Sequence, residues 1–78
     1  MFILLVNGQP AFKTNNKELS KQAYNSLFNT HREEGYDTGL SLPSAGLVHK
    51  KAVEHGSMTV KLSKPKRDDV NLTLLYIS

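Results

Sequence analysis

Met1-Phe2-Ile3-Leu4-Leu5-Val6-Asn7-Gly8-Gln9-Pro10-Ala11-Phe12-Lys13 decides the fold. An apolar run meets Asn-Gly and is followed by a second extended stretch. Asn-Gly between extended segments signals a β-hairpin, because a type I′ turn needs positive φ at both central residues. The run from Phe2 to Val6 is apolar on both faces, which predicts a strand covered on both sides. Pro10 has no amide hydrogen to give to a ladder, so the second strand is expected at a sheet edge.

The far end of the chain answers this hairpin. Met58, Val60 and Leu62 alternate with Thr59, Lys61 and Ser63, and Val70, Leu72, Leu74 and Tyr76 alternate with Asn71, Thr73, Leu75 and Ile77. These segments predict a second hairpin across the charged connection Lys64-Pro65-Lys66-Arg67-Asp68-Asp69. The alternate face of its last strand turns apolar at Leu75 and Ile77, so that end too is expected to be covered on both sides.

Between the hairpins the period changes. Leu19, Ala23, Leu27 and Phe28 share a helical face with Tyr24 beside them, and Lys17, Lys21 and Asn25 share another. Asn15 is the expected N-cap, with Glu18 in capping-box position, and Gly35 is the expected C′ residue. This predicts a helix over about 16–33, whose Leu27 and Phe28 pack against Leu72, Leu74 and Tyr76. Residues 36–46 read as a loop. For 44–56 a short helix capped by Ser44 and ended by Gly56 is preferred to a strand. It places Ala45, Val48 and Ala52 on one face. The fold class is therefore α+β: a small antiparallel sheet of two terminal hairpins packed against one main helix and a second short one, as a single domain over 1–78.

Composition narrows the function classes. A chain of 78 residues buries only roughly 60% of its unfolded surface. Cysteine is absent and 38% of residues are hydrophobic. No disulfide or thiolate metal site is available, and a reducing cytoplasm suits the chain. Modest apolar content without covalent staples favours a stable complex or a homodimer. No stretch approaches the ~20 apolar residues of a membrane helix. The formal charge of +3 permits nucleic acid or an acidic protein as partner and demands neither.

Chemistry-bearing residues are sparse. His31 and Glu34 lie three apart, and Asp37 would have to complete a metal site. A solvated helix end is the simpler reading. His49, Glu54 and His55 form a second polar group, read as surface histidines. Ser44 with a histidine has no oxyanion donors and no nucleophile elbow. Neither a catalytic residue nor a cofactor is assigned, and the chain is not expected to be an enzyme.

The basic residues are more suggestive. Lys61, Lys64, Lys66 and Arg67 cluster on the second hairpin, with side chains expected to be exposed. Lys17 and Lys21, together with Lys13, lead from the first hairpin along the helix. If the groups converge they form a stripe for a phosphate backbone, with Tyr36 able to stack on a base. In size, lack of cysteine and lack of catalytic signature the chain resembles in type the short proteins of phages and mobile elements that act by binding. The function expected is a cytoplasmic, non-catalytic protein that occludes or modulates a macromolecular partner, such as a host enzyme or nucleoprotein complex. The alternative is a small RNA- or DNA-binding protein using the basic stripe. The residues carrying either role are Lys17, Lys21, Lys61, Lys64, Lys66, Arg67 and Tyr36.

Overall fold

Asn7 and Gly8 adopt φ of 51° and 80°, the positive values a type I′ turn requires at both central positions. The computed structural model describes residues 1–38 and 44–78. The turn joins β1 (Phe2–Val6) to β2 (Gln9–Thr14), which pair antiparallel. Asn7 also ties the turn to the second hairpin. Its amide donates to the Asn71 carbonyl at 2.9 Å, and its side-chain oxygen accepts from the Asn71 amide at 2.9 Å.

Two helices follow, α1 (Lys17–Glu33) and α2 (Ala45–His55), and then the hairpin of β3 (Ser57–Leu62) and β4 (Val70–Tyr76). The sheet has four strands in the order β2-β1-β4-β3, all antiparallel. The two terminal hairpins are thus zipped together by β1 and β4, with Phe2 opposite Tyr76 and Val6 opposite Leu72. β2 is an edge strand, as Pro10 predicts. The register slips between Leu4 and Leu5, leaving Ala11 as the extra residue of a bulge.

The N-cap of α1 is Asn16, not Asn15. Thr14 Oγ1 accepts the Asn16 amide at 3.0 Å and holds Asn16 extended, and Asn16 Oδ1 then accepts from the Leu19 amide at 3.0 Å. Glu18 falls one position short of a capping box. The helix buries Ser20, Tyr24 and Phe28, one every four residues. Leu19, expected on that face, is 47% exposed. At the other end Gly35 sits at φ +101°. The Tyr36 amide reaches the His31 carbonyl and the Gly35 amide reaches the Arg32 carbonyl, each at 3.0 Å, which is a Schellman motif. An edge-on contact between the His31 and Tyr36 rings seals it.

Residues 44–56 form the expected helix. Ser44 Oγ accepts from the Leu47 amide at 3.2 Å, and Gly56 closes α2 at φ +89°. Residues 39–43 of the expected loop lie outside the described residues. Before them, Asp37 exchanges backbone hydrogen bonds with Ser63 beside the end of β3.

The core joins both helices to a single side of the sheet. Phe2 and Leu4 of β1, Val60 and Leu62 of β3, and Val70, Leu72 and Leu74 of β4 pack with Tyr24, Phe28, Val48 and Ala52. Leu27 and Tyr76 pack at its margin, as the sequence predicts. The expectation that β1 and the end of β4 are covered on both sides does not hold. Both helices lie in the one connection between the hairpins, entering from β2 and leaving into β3, and both settle on the same face. Ile3, Leu5 and Leu75 point the other way and remain half-buried among their cross-strand neighbours.

Candidate interaction surfaces

The basic residues do not converge. Lys17 and Lys21 stand at the start of α1. Lys64 stands at its end, donating from Nζ to the Glu34 carbonyl and lying 5.6 Å from the Tyr36 ring centre. Seventeen residues of helix, at 1.5 Å each, separate these points by about 25 Å. Lys64 is half-buried rather than exposed, because it reaches back across Gly35 to satisfy a carbonyl at the α1 terminus. Tyr36 is half-buried, with the His31 ring edge-on to it and Lys64 Nζ over its ring. Lys61 is paired with Asp69 at 3.0 Å and Lys21 with Glu18 at 3.8 Å. Lys66 and Arg67 are exposed at the hairpin tip, without an ion pair among the described residues.

The histidines separate into three environments. His31 Nδ1 lies 2.8 Å from the Leu27 carbonyl, so the ring serves the helix end. His55 is exposed, 3.7 Å from Glu54. His49, read from the sequence as a surface residue, is only 1% exposed. Its Nδ1 lies 2.8 Å from the Ala45 carbonyl, which can only accept, so Nδ1 carries the proton. Nε2 is then left to accept from the Ser20 hydroxyl at 2.7 Å. The Phe2 ring packs on the same imidazole. Burial pushes the His49 pKa below its ordinary value; the Ala45 carbonyl opposes the shift, and Lys21 and Lys17 add to it.

Ser20 and His49 have the contact geometry of a hydroxyl and its base. Ser20 is itself 1% exposed, so the hydroxyl is buried between the helices. The pair is a buried polar clamp that fixes α1 against α2. Ser44, the other serine considered, has its oxygen engaged in capping α2. Among the described residues no group of three His, Asp or Glu side chains is placed to hold a metal ion. Nor is any helix among them long and apolar enough to cross a membrane. Tyr24 carries a buried hydroxyl without a partner among the described residues, and burial raises its pKa to about 12.

The outer face of the sheet is the surface that sequence reasoning missed. Across the strands, Lys13, Ile3, Leu75 and Ser57 form one row, and Pro10, Leu5, Thr73 and Thr59 the next. The Ile77 amide donates to the Met1 carbonyl at 2.9 Å, which extends the pairing by a row. The alternation then brings Met1 and Ile77 beside Ile3 and Leu75. Met1 is 41% exposed and Ile77 50% exposed. Five apolar side chains thus lie together over β1 and β4. On their β3 side the face turns polar, with Thr59 and Thr73 hydroxyls 3.0 Å apart. The signal is present in the sequence as apolar odd-numbered positions of both strands, which periodicity alone reads as burial within the chain.

No protein-family model, no curated protein and no solved structure matches the chain.

Proposed function

We propose that this protein is a small non-catalytic binding protein that occludes or modulates a macromolecular partner, and that it docks through the outer face of its sheet. One observation carries the reading. Met1, Ile3, Leu5, Leu75 and Ile77 form a contiguous apolar surface that neither helix covers. Contiguous apolar surface on a small domain marks interaction sites far more often than scattered exposed side chains do. The inner face of the same strands already holds the core, so the outer residues are not needed to complete the fold. A cytoplasmic setting accords with a chain lacking cysteine.

The nucleic-acid alternative rests on Lys66 and Arg67, the two exposed cations of the hairpin tip. Its remaining residues lie at the opposite end of α1 or are committed to Asp69 and Glu34. The test is recovery of co-purifying macromolecules with tagged wild type, an Ile77→Asp, Leu75→Thr variant, and a Lys66→Glu, Arg67→Glu variant. The docking reading expects one macromolecule retained by wild type and by the tip variant and lost by the outer-face variant. Retention by the outer-face variant with loss by the tip variant would transfer the function to the basic loop.

A further inference from the structure

The strands carry an unusual distribution of charge. Not one of their residues is Asp or Glu, and their only charged side chains are Lys13 and Lys61. Lys13 pairs across the sheet with Ile3, and Lys61 with Asn71, so both lysines stand on the outer face. They flank the apolar centre on opposite edge strands. The carboxylates of the chain lie elsewhere, on α1, α2 and the loops. Asp69 approaches this face, where Lys61 engages it, and Asp37 stands opposite Ser63 beyond the end of β3.

We infer that the outer sheet face receives a protein surface with an apolar centre and an acidic rim. The inference rests on the docking reading above and adds the chemistry of the partner. Charge complementarity across a rim steers encounter and rejects partners of the wrong sign. Lys13 is exposed and has no ion pair among the described residues, so it is available to a partner's carboxylate.

A second copy of the chain fits this face poorly. A two-fold dimer places the same patch against itself. Here that would oppose a strand surface without carboxylates to its own image and leave Lys13 without a counter-charge. Area argues the same way. Four strands about 4.8 Å apart and about 20 Å long present roughly 400 Å². Stable protein interfaces bury about 800 Å² on each partner. A flat self-contact therefore falls short, whereas a larger partner can reach past the face over its edge strands β2 and β3.

The experiment uses two synthetic amphipathic peptides with the same leucine face, one flanked by glutamates and one by lysines. Each is titrated into the full chain while the methyl resonances of Ile3, Leu5, Leu75 and Ile77 are followed by NMR. The glutamate peptide should shift these methyls and bind at least tenfold more tightly than the lysine peptide. Lys13→Glu should abolish that preference with the fold unchanged. Equal binding of the two peptides, or shifts confined to the helical side, would overturn the inference. So would methyl shifts that follow protein concentration without peptide, which assign the face to a second copy, or shifts caused by a single-stranded oligonucleotide. If peptide preference fails while the outer-face variant still loses its co-purifying macromolecule, the docking reading stands and only the partner's charge is wrong. If that variant keeps the macromolecule, the docking reading itself fails.

Discussion

The two faces of one sheet are built from the same strands and meet different surroundings. On the inner face Phe2, Leu4, Leu72 and Leu74 are buried under both helices. On the outer face Ile3, Leu5 and Leu75 are equally apolar and stay half-open, with Met1 and Ile77 more open still. Each residue step along β1 or β4 moves from one regime to the other. The helix side is also where polar groups are locked away, as Ser20 and His49 show. The difference teaches that hydrophobicity in these strands is not all spent on one core. The larger part packs under the helices, and the rest stays on a face that neither helix covers.

The largest effects should come from the inner face. Leu72→Ala or Leu74→Ala should cost about 2–5 kcal/mol, because each empties a fully buried site at the sheet centre. Ile77→Thr on the outer face should change stability by no more than about 0.5 kcal/mol. Denaturant titration of these variants checks the contrast directly, and comparable losses on both faces would erase it.

Gly8→Val comes next. A Cβ at Gly8 meets no atom within 4 Å, so the whole cost arises from placing a β-branched residue at φ +80°. That strain is worth about 1–3 kcal/mol. An unchanged melting temperature would argue against the turn that sets the register of both faces.

The clamp between the helices should be acid-sensitive. The folded pKa of His49 is lowered, so the unfolded chain takes up the proton first as pH falls below the ordinary value of 6.5. Its contribution to stability is complete above 6.5 and is lost as pH drops toward the folded value. Ser20→Ala leaves Nε2 buried without a donor and should cost about 1–3 kcal/mol at neutral pH. Stability measured against pH for wild type and His49→Gln checks the assignment; parallel curves through this range would contradict it. The smallest effect belongs to the hairpin tip. Lys66→Glu with Arg67→Glu should alter stability by at most about 0.5 kcal/mol, since both side chains are solvated.

How much of this was legible in the sequence depends on how local the cause is. Asn7-Gly8, Gly35, Ser44 and Gly56 each announce their role within a few residues, and the turn, helix end and second helix follow. Adjacent asparagines at 15 and 16 offer two caps, and only Thr14 accepting the Asn16 amide chooses between them. The pairing of Ser20 with His49 spans 29 positions, and that of Lys64 with Glu34 spans 30. No periodicity encodes either contact. The apolar odd positions of β1 and β4 were visible, but which face the helices cover is a property of the assembled sheet. Whether two basic groups far apart in sequence meet is likewise a property of the assembled fold, and the length of α1 keeps Lys17 from Lys64.

The most direct test of the outer face as the working surface is the affinity of an Ile77→Asp, Leu75→Thr variant for the captured partner, measured beside its melting temperature. The account predicts a loss of at least tenfold in affinity with little change in melting temperature. Unchanged affinity in that variant, together with a loss in Lys66→Glu, Arg67→Glu, would contradict it.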